Sequence, residues 1–387
     1  MARIHVGQFN DSFPPTIDGV AQVVKNYATC LHRNHCDVTV VTPAYKNVRD
    51  EYPFDVYRYQ SIPLDNRIGY RAGNVFSPEA LVQLRRKKFD LMHVHAPFAS
   101  SVLVNNLNHR PRVPVVLTYH TKFEVDIEKR VTNTMFRKIA MEFLLGNVNA
   151  ADEVWTVTAK GGESLRAIGY EGEYHVMENG TDFAFGRAEE SKVQQLREAY
   201  NLPDDTFIFL FVGRMMWYKN TRLILDSLKI AKEKGLPFRC FMIGGGLDAA
   251  DIQKYANECD LADETIFTGP IYDREYLRVF YSLADMFLFP STYDTSGIVV
   301  KEAAACECPA LLVQDSCPAE GATHDVTAFL AEENAPSCAE AILNACHDRA
   351  HLAAVGSEAG KTLYLSWDDA VARAYARYTE ILKNWKG

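Results

Sequence analysis

Long hydrophobic runs are missing from these 387 residues. The longest, such as "TFIFLFVG", stop well short of the roughly 20 apolar residues a bilayer-spanning helix needs, which argues against an integral membrane protein. The start, "MARIHVGQFN", lacks the apolar stretch of a signal peptide and reads as a first strand, so a cytoplasmic chain is expected. The nine cysteines include no Cys-x-x-Cys pair, and Cys306 and Cys308, one residue apart, have a poor metal spacing. Reduced thiols are expected rather than a disulfide framework, with no metal site and no cofactor. A dinucleotide fingerprint is also missing. "MIGGG" follows a strand, but its spacing is not GxGxxG and no acid follows in the required context, which speaks against a nicotinamide site. No fixed-period repeat appears. Positive charge is in deficit, with a net charge of -9, so a nucleic-acid partner is not expected.

The rest of the composition is that of a soluble globular protein, 48% hydrophobic and 24% charged. The length favours two domains. Charge is unevenly spread. Residues 1–180 carry 21 Lys and Arg against 19 Asp and Glu, and the remainder carries 20 against 31. The basic residues of the first half cluster at Arg85–Lys88 and in "KRVTNTMFRK". Both clusters are either solvated helix faces or a surface for an anionic membrane.

Strand-like and helix-like segments alternate along the chain. "RIHVGQF", "DVTVVTP", "FDLMHVHA", "VPVVLTYHT", "EVWTVT" and "YHVMENG" form a first series. A polar, charged linker is expected near residues 183–204. "TFIFLFVGR", "RCFMIGGG", "TIFTGPI", "MFLFPS" and "PALLVQ" form a second series, and "SWDDAVARAYARYTEILKNWKG" reads as one amphipathic helix. Alternation of this kind implies parallel, doubly wound α/β sheets, here two Rossmann-like domains. Ligands of such sheets bind beyond the carboxyl ends of the strands.

Several motifs fall at those positions. Gly19, at a helix start in "FPPTIDGVAQVV", either lets backbone amides approach a phosphate or serves the turn alone. Arg214 and Lys219, in "VGRMMWYKN", could clamp a diphosphate, the first by its planar fork and the second as a point charge; two solvated cations are the alternative. Gly244 opens the three-glycine run and permits close backbone approach. His120, in "LTYHTKFE", could hydrogen-bond a substrate hydroxyl or a developing charge, although a structural histidine is the commoner case. His93 and His95 alternate along a strand and are read as pointing to opposite faces, mainly structural. "STYDTSGIVVKEAAACE" puts Asp294 in a loop and Glu302 in the first turns of the next helix. Ser296 and Gly297 are expected to cap that helix and leave the amides near Ile298 and Val299 open to an anion. The two acids could grip diols, or simply favour a helix start.

Together these motifs resemble the family 4 retaining glycosyltransferases of the GT-B fold. The likeness covers nearly the whole chain in order and rests on "PPTIDGVAQVV", "YHT", "VGRMMWYKN", "GGG" and "STYDTSGIVVKEAAACECPALLV". It implies a first domain over 1–185 for the acceptor, a second over 205–365 for a nucleotide sugar, and a C-terminal helix over 366–387 crossing back onto the first. It further implies that Arg214, Lys219 and the amides near Ser296–Val299 bind the donor diphosphate. Gly19 and Gly244 would approach the donor, Glu302 would hold the ribose, and Asp294 and His120 would meet the transferred sugar. Retention of configuration without a metal follows from the same likeness. Three positions depart from the pattern. Asp294 stands where Glu is usual, Asn220 where Gly follows the lysine, and Glu307–Cys308 where a Gly-containing pair follows the helix.

Within the family the chain resembles the bacterial diacylglycerol glucosyltransferases, through "HTKFEVDIEKRV" and the general run of the first domain. A lipid acceptor, with UDP-glucose as donor, is therefore expected. A helix through Val131, Met135, Ile139 and Phe143, flanked by Lys129, Arg130, Arg137 and Lys138, is expected to be able to lie on the inner face of an anionic membrane. Saccharide, cell-wall and small-molecule acceptors, an epimerase, and a non-catalytic nucleotide-sugar binder are the other readings.

Overall fold

Short apolar runs bounded by Gly, Pro, Asn and Asp become parallel strands when helices cover both faces of the sheet, and the chain does this twice. A computed structural model describes residues 3–16, 18–34, 36–65, 70–109 and 111–387, with the side chains of residues 64, 65, 70, 126, 129 and 130 left aside. The chain divides into two units, Met1–Asn179 with Trp367–Gly387, and Gly180–Ser366.

In the first unit the strands are β1 (His5–Phe9), β2 (Asp37–Pro43), β3 (Asp55–Tyr59), β4 (Ser61–Asp65), β5 (Tyr70–Gly73), β6 (Leu91–Val94), β7 (Val115–Tyr119), β8 (Glu153–Thr156) and β9 (Tyr174–Val176). The helices are α1 (Gly19–Arg33), α2 (Pro78–Arg86), α3 (Ala99–Leu107), α4 (Phe123–Arg130), α5 (Thr134–Asn149) and α6 (Ala159–Ala167). Seven parallel strands form one sheet in the order β3-β2-β1-β6-β7-β8-β9, and β4 and β5 form a separate antiparallel pair. Registered neighbours in a parallel sheet share a face. Phe9, Val41, Val94, Leu117 and Val154 line one face, an apolar layer closed by Leu84, Leu103, Leu144 and Leu165 from the helices. The opposite face carries Gln8, His93, Thr118 and Trp155. It is buried too, so its polar groups must be hydrogen-bonded.

The second unit holds α7 (Glu190–Ala199), β10 (Phe207–Val212), α8 (Thr221–Glu233), β11 (Phe238–Ile243), α9 (Ala249–Glu258), β12 (Thr265–Gly269), α10 (Arg274–Leu283) and β13 (Met286–Phe289). It continues with α11 (Ile298–Ala305), β14 (Ala310–Val313), β15 (Phe329–Ala331), α12 (Ala335–Ala345) and α13 (Arg349–Leu363). Its six parallel strands run β12-β11-β10-β13-β14-β15. Every residue of β10 is buried, which is why "FIFLFV" is continuous rather than alternating. The stretch expected as a polar linker is folded. Residues 190–199 make α7, with Val193 and Leu196 in this unit's core, and the unit itself begins at Gly180.

The last helix, α14 (Trp367–Asn384), belongs to the first unit. Asp368 takes Arg33 of α1 at 2.8 Å, and Arg377 takes Glu153 of β8 at 2.7 Å. Tyr378 is fully buried against the polar face of the sheet, stacked on Trp155 with ring centres 5.2 Å apart.

Two local readings change. The single helix expected through Val131 and Phe143 is broken. Val131 is extended, and Asn133 caps α5 by accepting from the amides of Met135 and Phe136 at 2.9 and 3.2 Å, because an N-terminal Asn competes well for those donors. Lys129 and Arg130 of that reading have side chains outside the described residues. At the end of α11, Glu307 is left-handed at φ 55°, the conformation for which glycine is usual. Its carbonyl oxygen would lie 2.1 Å from a Cβ on Gly356, so the turn is held tightly against α13. Replacing Glu307 by Gly should raise the unfolding free energy by roughly 0.5–1 kcal/mol, read by urea denaturation. A loss of stability would show that the glutamate side chain contributes more than its backbone costs.

Candidate active site

The strand order of the second unit reverses between β10 and β13, and the loops after these strands, with the start of α11, carry most of the singled-out residues. A short turn, Trp217–Lys219, follows β10. It leaves Lys219 only 8% exposed, with its ammonium 5.8 Å from the ring centres of both Tyr218 and Phe289. A mostly buried ammonium requires an anion. Asp294, in the loop after β13, supplies it as an ion pair, and Ser291 Oγ donates to the other carboxylate oxygen at 2.6 Å. Arg214 lies 5.9 Å from the ring of Tyr218, and Tyr218 meets Tyr293 at 4.6 Å. Arg214, Lys219 and Asp294 therefore share one patch.

Asn220 ties the two loops together. It is left-handed at φ 57°, which explains why Asn can stand where a glycine is usual. Its Nδ2 donates to the Pro290 carbonyl at 2.8 Å and to Glu333 at 2.7 Å.

Glu302 is not hydrogen-bonded to Asp294; it belongs to a second cluster. Buried on α11, it accepts from Arg274 Nη2 at 2.7 Å and from the Tyr281 hydroxyl at 2.9 Å. Arg274 also pairs with Asp182 and lies 4.3 Å above the ring of Phe183. Burial opposes the charge of Arg274, but Glu302 and Asp182 more than offset it and hold the guanidinium ionised. Burial, then the charge of Glu302, pushes the Tyr281 phenol well up, so it stays a donor. Each carboxylate oxygen has two acceptor directions, so Glu302 retains capacity for a ligand. Arg274 and Tyr281 were not singled out from sequence. The only signal for Arg274 is its place at the start of α10, just past the loop after β12.

At the start of α11 the cap is Gly297, not Ser296. Gly297 has φ 54°, its side receives no side-chain cap, and a Cβ there would sit 2.9 Å from Cβ of Pro318. The first amides of α11, at Ile298 and Val299, thus follow a glycine cap, which has no side-chain acceptor of its own. Gly244 has a packing reason of its own. At φ 142°, a Cβ would strike the Gly213 carbonyl at 1.9 Å, and the glycine run lets the β11 loop bond Met215 through Gly245 at 2.9 Å.

The remaining candidates lie in the first unit. Gly19 opens α1 with nothing near its absent Cβ, while the carboxylate of Asp18 caps that helix at the Val20 amide, 3.0 Å away. His120 lies directly after β7 and is buried, and burial pushes its imidazole down to about 3. Its Nε2 meets His95 Nδ1 at 2.8 Å. The expectation that His93 and His95 point to opposite faces is wrong. Their rings are 4.0 Å apart on one face, because residues two apart in a strand share a side.

Comparison with known proteins follows the same division. Residues 17–185 match the model for Glycosyltransferase Family 4, and residues 192–362 match that for Glycosyl transferases group 1. An alpha-monoglucosyldiacylglycerol synthase of Streptococcus pneumoniae is 25% identical over 80% of this chain and 70% of its own length. The protein of the same name from Acholeplasma laidlawii is 25% identical over 81% of both chains. Among solved structures, a sucrose-phosphate synthase of Thermosynechococcus elongatus superposes with a TM-score of 0.79 at 20% identity, over 99% of this chain and 100% of its own. Anabaena HepE in complex with UDP-glucose gives 0.78 at 16%, over 97% and 99%. The architecture is that of GT-B glycosyltransferases.

Gly297→Ala should cost roughly 1–2 kcal/mol, from the left-handed backbone alone. The Pro318 contact can only add to this. Urea denaturation reads it, and unchanged stability would mean that the start of α11 is free to rearrange.

Proposed function

Because the chain belongs, half by half, to the family 4 and group 1 glycosyltransferases, we propose that it moves a hexose, glucose from UDP-glucose, onto a membrane lipid of the diacylglycerol class with retention of configuration. The observation that carries the donor half of this reading is the Lys219–Asp294 pair beside a helix start whose cap is a glycine. A diphosphate brings to Lys219 more negative charge than Asp294 does. It can also bond the opening amides of α11 and the Arg214 fork, as helix N termini and guanidinium groups favour.

In this scheme the diphosphate takes over Lys219, and Asp294, still held by Ser291, turns an oxygen to a hydroxyl of the sugar. Glu302, braced by Arg274 and Tyr281, accepts from the ribose hydroxyls. As the sugar–phosphate bond breaks, charge grows on the leaving diphosphate, and donors already in place stabilise it without reorganising. That diphosphate takes the acceptor's proton on the same face. No metal is needed, since cations and amides meet the charge. His120, kept neutral by burial, hydrogen-bonds the sugar instead of acting as a base.

The lipid half rests on two observations. Two relatives are alpha-monoglucosyldiacylglycerol synthases, and α5 exposes Met135, Phe136, Ile139 and Phe143 at 72, 64, 50 and 48%. These recur on one side of the helix; Lys138, 3.8 Å from Glu142, flanks them, and Arg137 turns away to the carbonyls of Val131 and Glu128. Such a face suits the headgroup region of an anionic bilayer. Among the described residues no helix is long and apolar enough to cross a membrane.

The decisive test is nucleotide release from UDP-glucose, UDP-galactose, UDP-N-acetylglucosamine and GDP-mannose, with and without diacylglycerol in anionic vesicles. Release from UDP-glucose that rises with the lipid supports the reading. Lipid-independent release moves the acceptor to soluble saccharides, and no release from any donor leaves a nucleotide-sugar binder. Lys219→Ala should weaken UDP-glucose binding about tenfold or more by calorimetry, as for loss of a charge-assisted hydrogen bond; wild-type affinity removes Lys219 from the diphosphate site. Met135→Asp with Ile139→Asp should abolish sedimentation with anionic vesicles while leaving UDP-glucose affinity unchanged. Sedimentation at the wild-type level would place lipid contact elsewhere.

A further inference from the structure

The polar face of the first sheet holds a chain of hydrogen bonds that ends at His120. Thr118 Oγ1 meets His93 Nε2 at 2.6 Å, and His93 Nδ1 meets the Tyr378 hydroxyl at 2.5 Å. Gln8 Nε2 reaches that hydroxyl at 3.5 Å, and Gln8 Oε1 meets His95 Nε2 at 2.5 Å. His95 Nδ1 then meets His120 Nε2 at 2.8 Å. All six side chains are buried. Its central member, Tyr378, comes from α14 and lies 285 residues beyond His93 in sequence.

Hydrogens can be placed along this chain in two directions, and its chemistry selects one. A phenol is a better donor than a neutral imidazole N–H, and an imidazole nitrogen is a better acceptor than a phenol oxygen. Tyr378 therefore donates to His93 Nδ1, and His93 donates from Nε2 to Thr118. The Tyr378 oxygen is left to accept from the Gln8 amide, which turns the Gln8 carbonyl to His95. His95 donates from Nε2 to that carbonyl and accepts at Nδ1, so His120 donates from Nε2. The reverse direction would make the phenol donate to an amide over the longest contact and force Gln8 to turn its NH2 toward His95.

We propose that Gln8, His95 and Tyr378 are positioning residues that hold His120 as a single tautomer, with its hydrogen on Nε2 and Nδ1 presented to substrate as an acceptor. This rests on the reading that His120 meets the transferred sugar, and it specifies the partner: a hydroxyl group that donates, rather than a carbonyl or phosphate oxygen. Burial supports it, since all three imidazoles are held neutral, His93 and His95 well below the usual range. The C-terminal helix thereby acts on the site through hydrogen-bond direction and not through contact with ligand.

The test is nitrogen-15 NMR of the full chain labelled at histidine, with His120 assigned by its loss in His120→Gln. The expected pattern is a protonated Nε2 and a bare Nδ1 at both His120 and His95; protonated Nδ1 at either overturns the assigned direction. Turnover supplies the second readout. His95→Asn keeps an acceptor where Nδ1 stood, and His95→Leu does not. The leucine variant should lose about tenfold in kcat with donor KM unchanged, and the asparagine variant should recover most of it, the scale of one positioned hydrogen bond. Equal losses that follow the melting temperature mean packing alone and overturn the proposal. Failure of the underlying reading shows separately: His120→Ala with wild-type kcat removes His120 from the reaction whatever its tautomer, and the positioning role falls with it.

Discussion

A lysine ammonium that is mostly withdrawn from water must have an anion beside it, and the second unit is organised around that requirement. Lys219 sits at the carboxyl end of β10 with aromatic rings on two sides, and Asp294 reaches it from the loop after β13. Asn220 holds the two loops in register. Left alone, either charge would cost several kcal/mol in such a setting. Paired, they offset one another, and the proposed diphosphate would be a more strongly charged partner for the same ammonium. An aspartate where the family commonly has a glutamate fits this arrangement, because the shorter side chain is still long enough to meet Lys219 while Ser291 fixes its other oxygen.

The same rule governs the other buried acid. Glu302 is braced by a guanidinium and a phenol, and Arg274 is in turn shared with Asp182. Each carboxylate of the site is therefore held by donors before any ligand arrives. Preorganisation of this kind is what lets electrostatic stabilisation act without a reorganisation cost during the reaction. Along the chain of hydrogen bonds on the polar face of the first sheet, the buried groups are imidazoles, an amide and hydroxyls. Satisfying these groups together gives the chain a direction, and in the proposed function that direction sets which nitrogen His120 offers.

Much of the architecture was legible in the sequence because it depends on local pattern. Alternating strands and helices, glycines at strand ends and the final amphipathic helix all read directly as the α/β folds seen. Asn220 and Glu307 were recognisable as departures from a glycine pattern, and the backbone shows that both are left-handed residues. What could not be read depends on long-range partners. Arg274 reaches Glu302 across 28 residues, and Tyr378 reaches His93 across 285, with no periodicity linking either pair. Two misreadings had local causes. The helix expected through Val131 ignored the capping power of Asn133, and the polar stretch taken as a linker contains Val193 and Leu196 at helical spacing, enough to dock α7.

The central claim is that Asp294 occupies on Lys219 the place a donor diphosphate takes. A crystal structure of the chain with UDP bound tests it most directly. The account predicts a phosphate oxygen within hydrogen-bond distance of Lys219 Nζ and of the Ile298 or Val299 amide, with the ribose hydroxyls on Glu302. A diphosphate bound elsewhere, with the Lys219–Asp294 pair unchanged and α11 uncontacted, would contradict it.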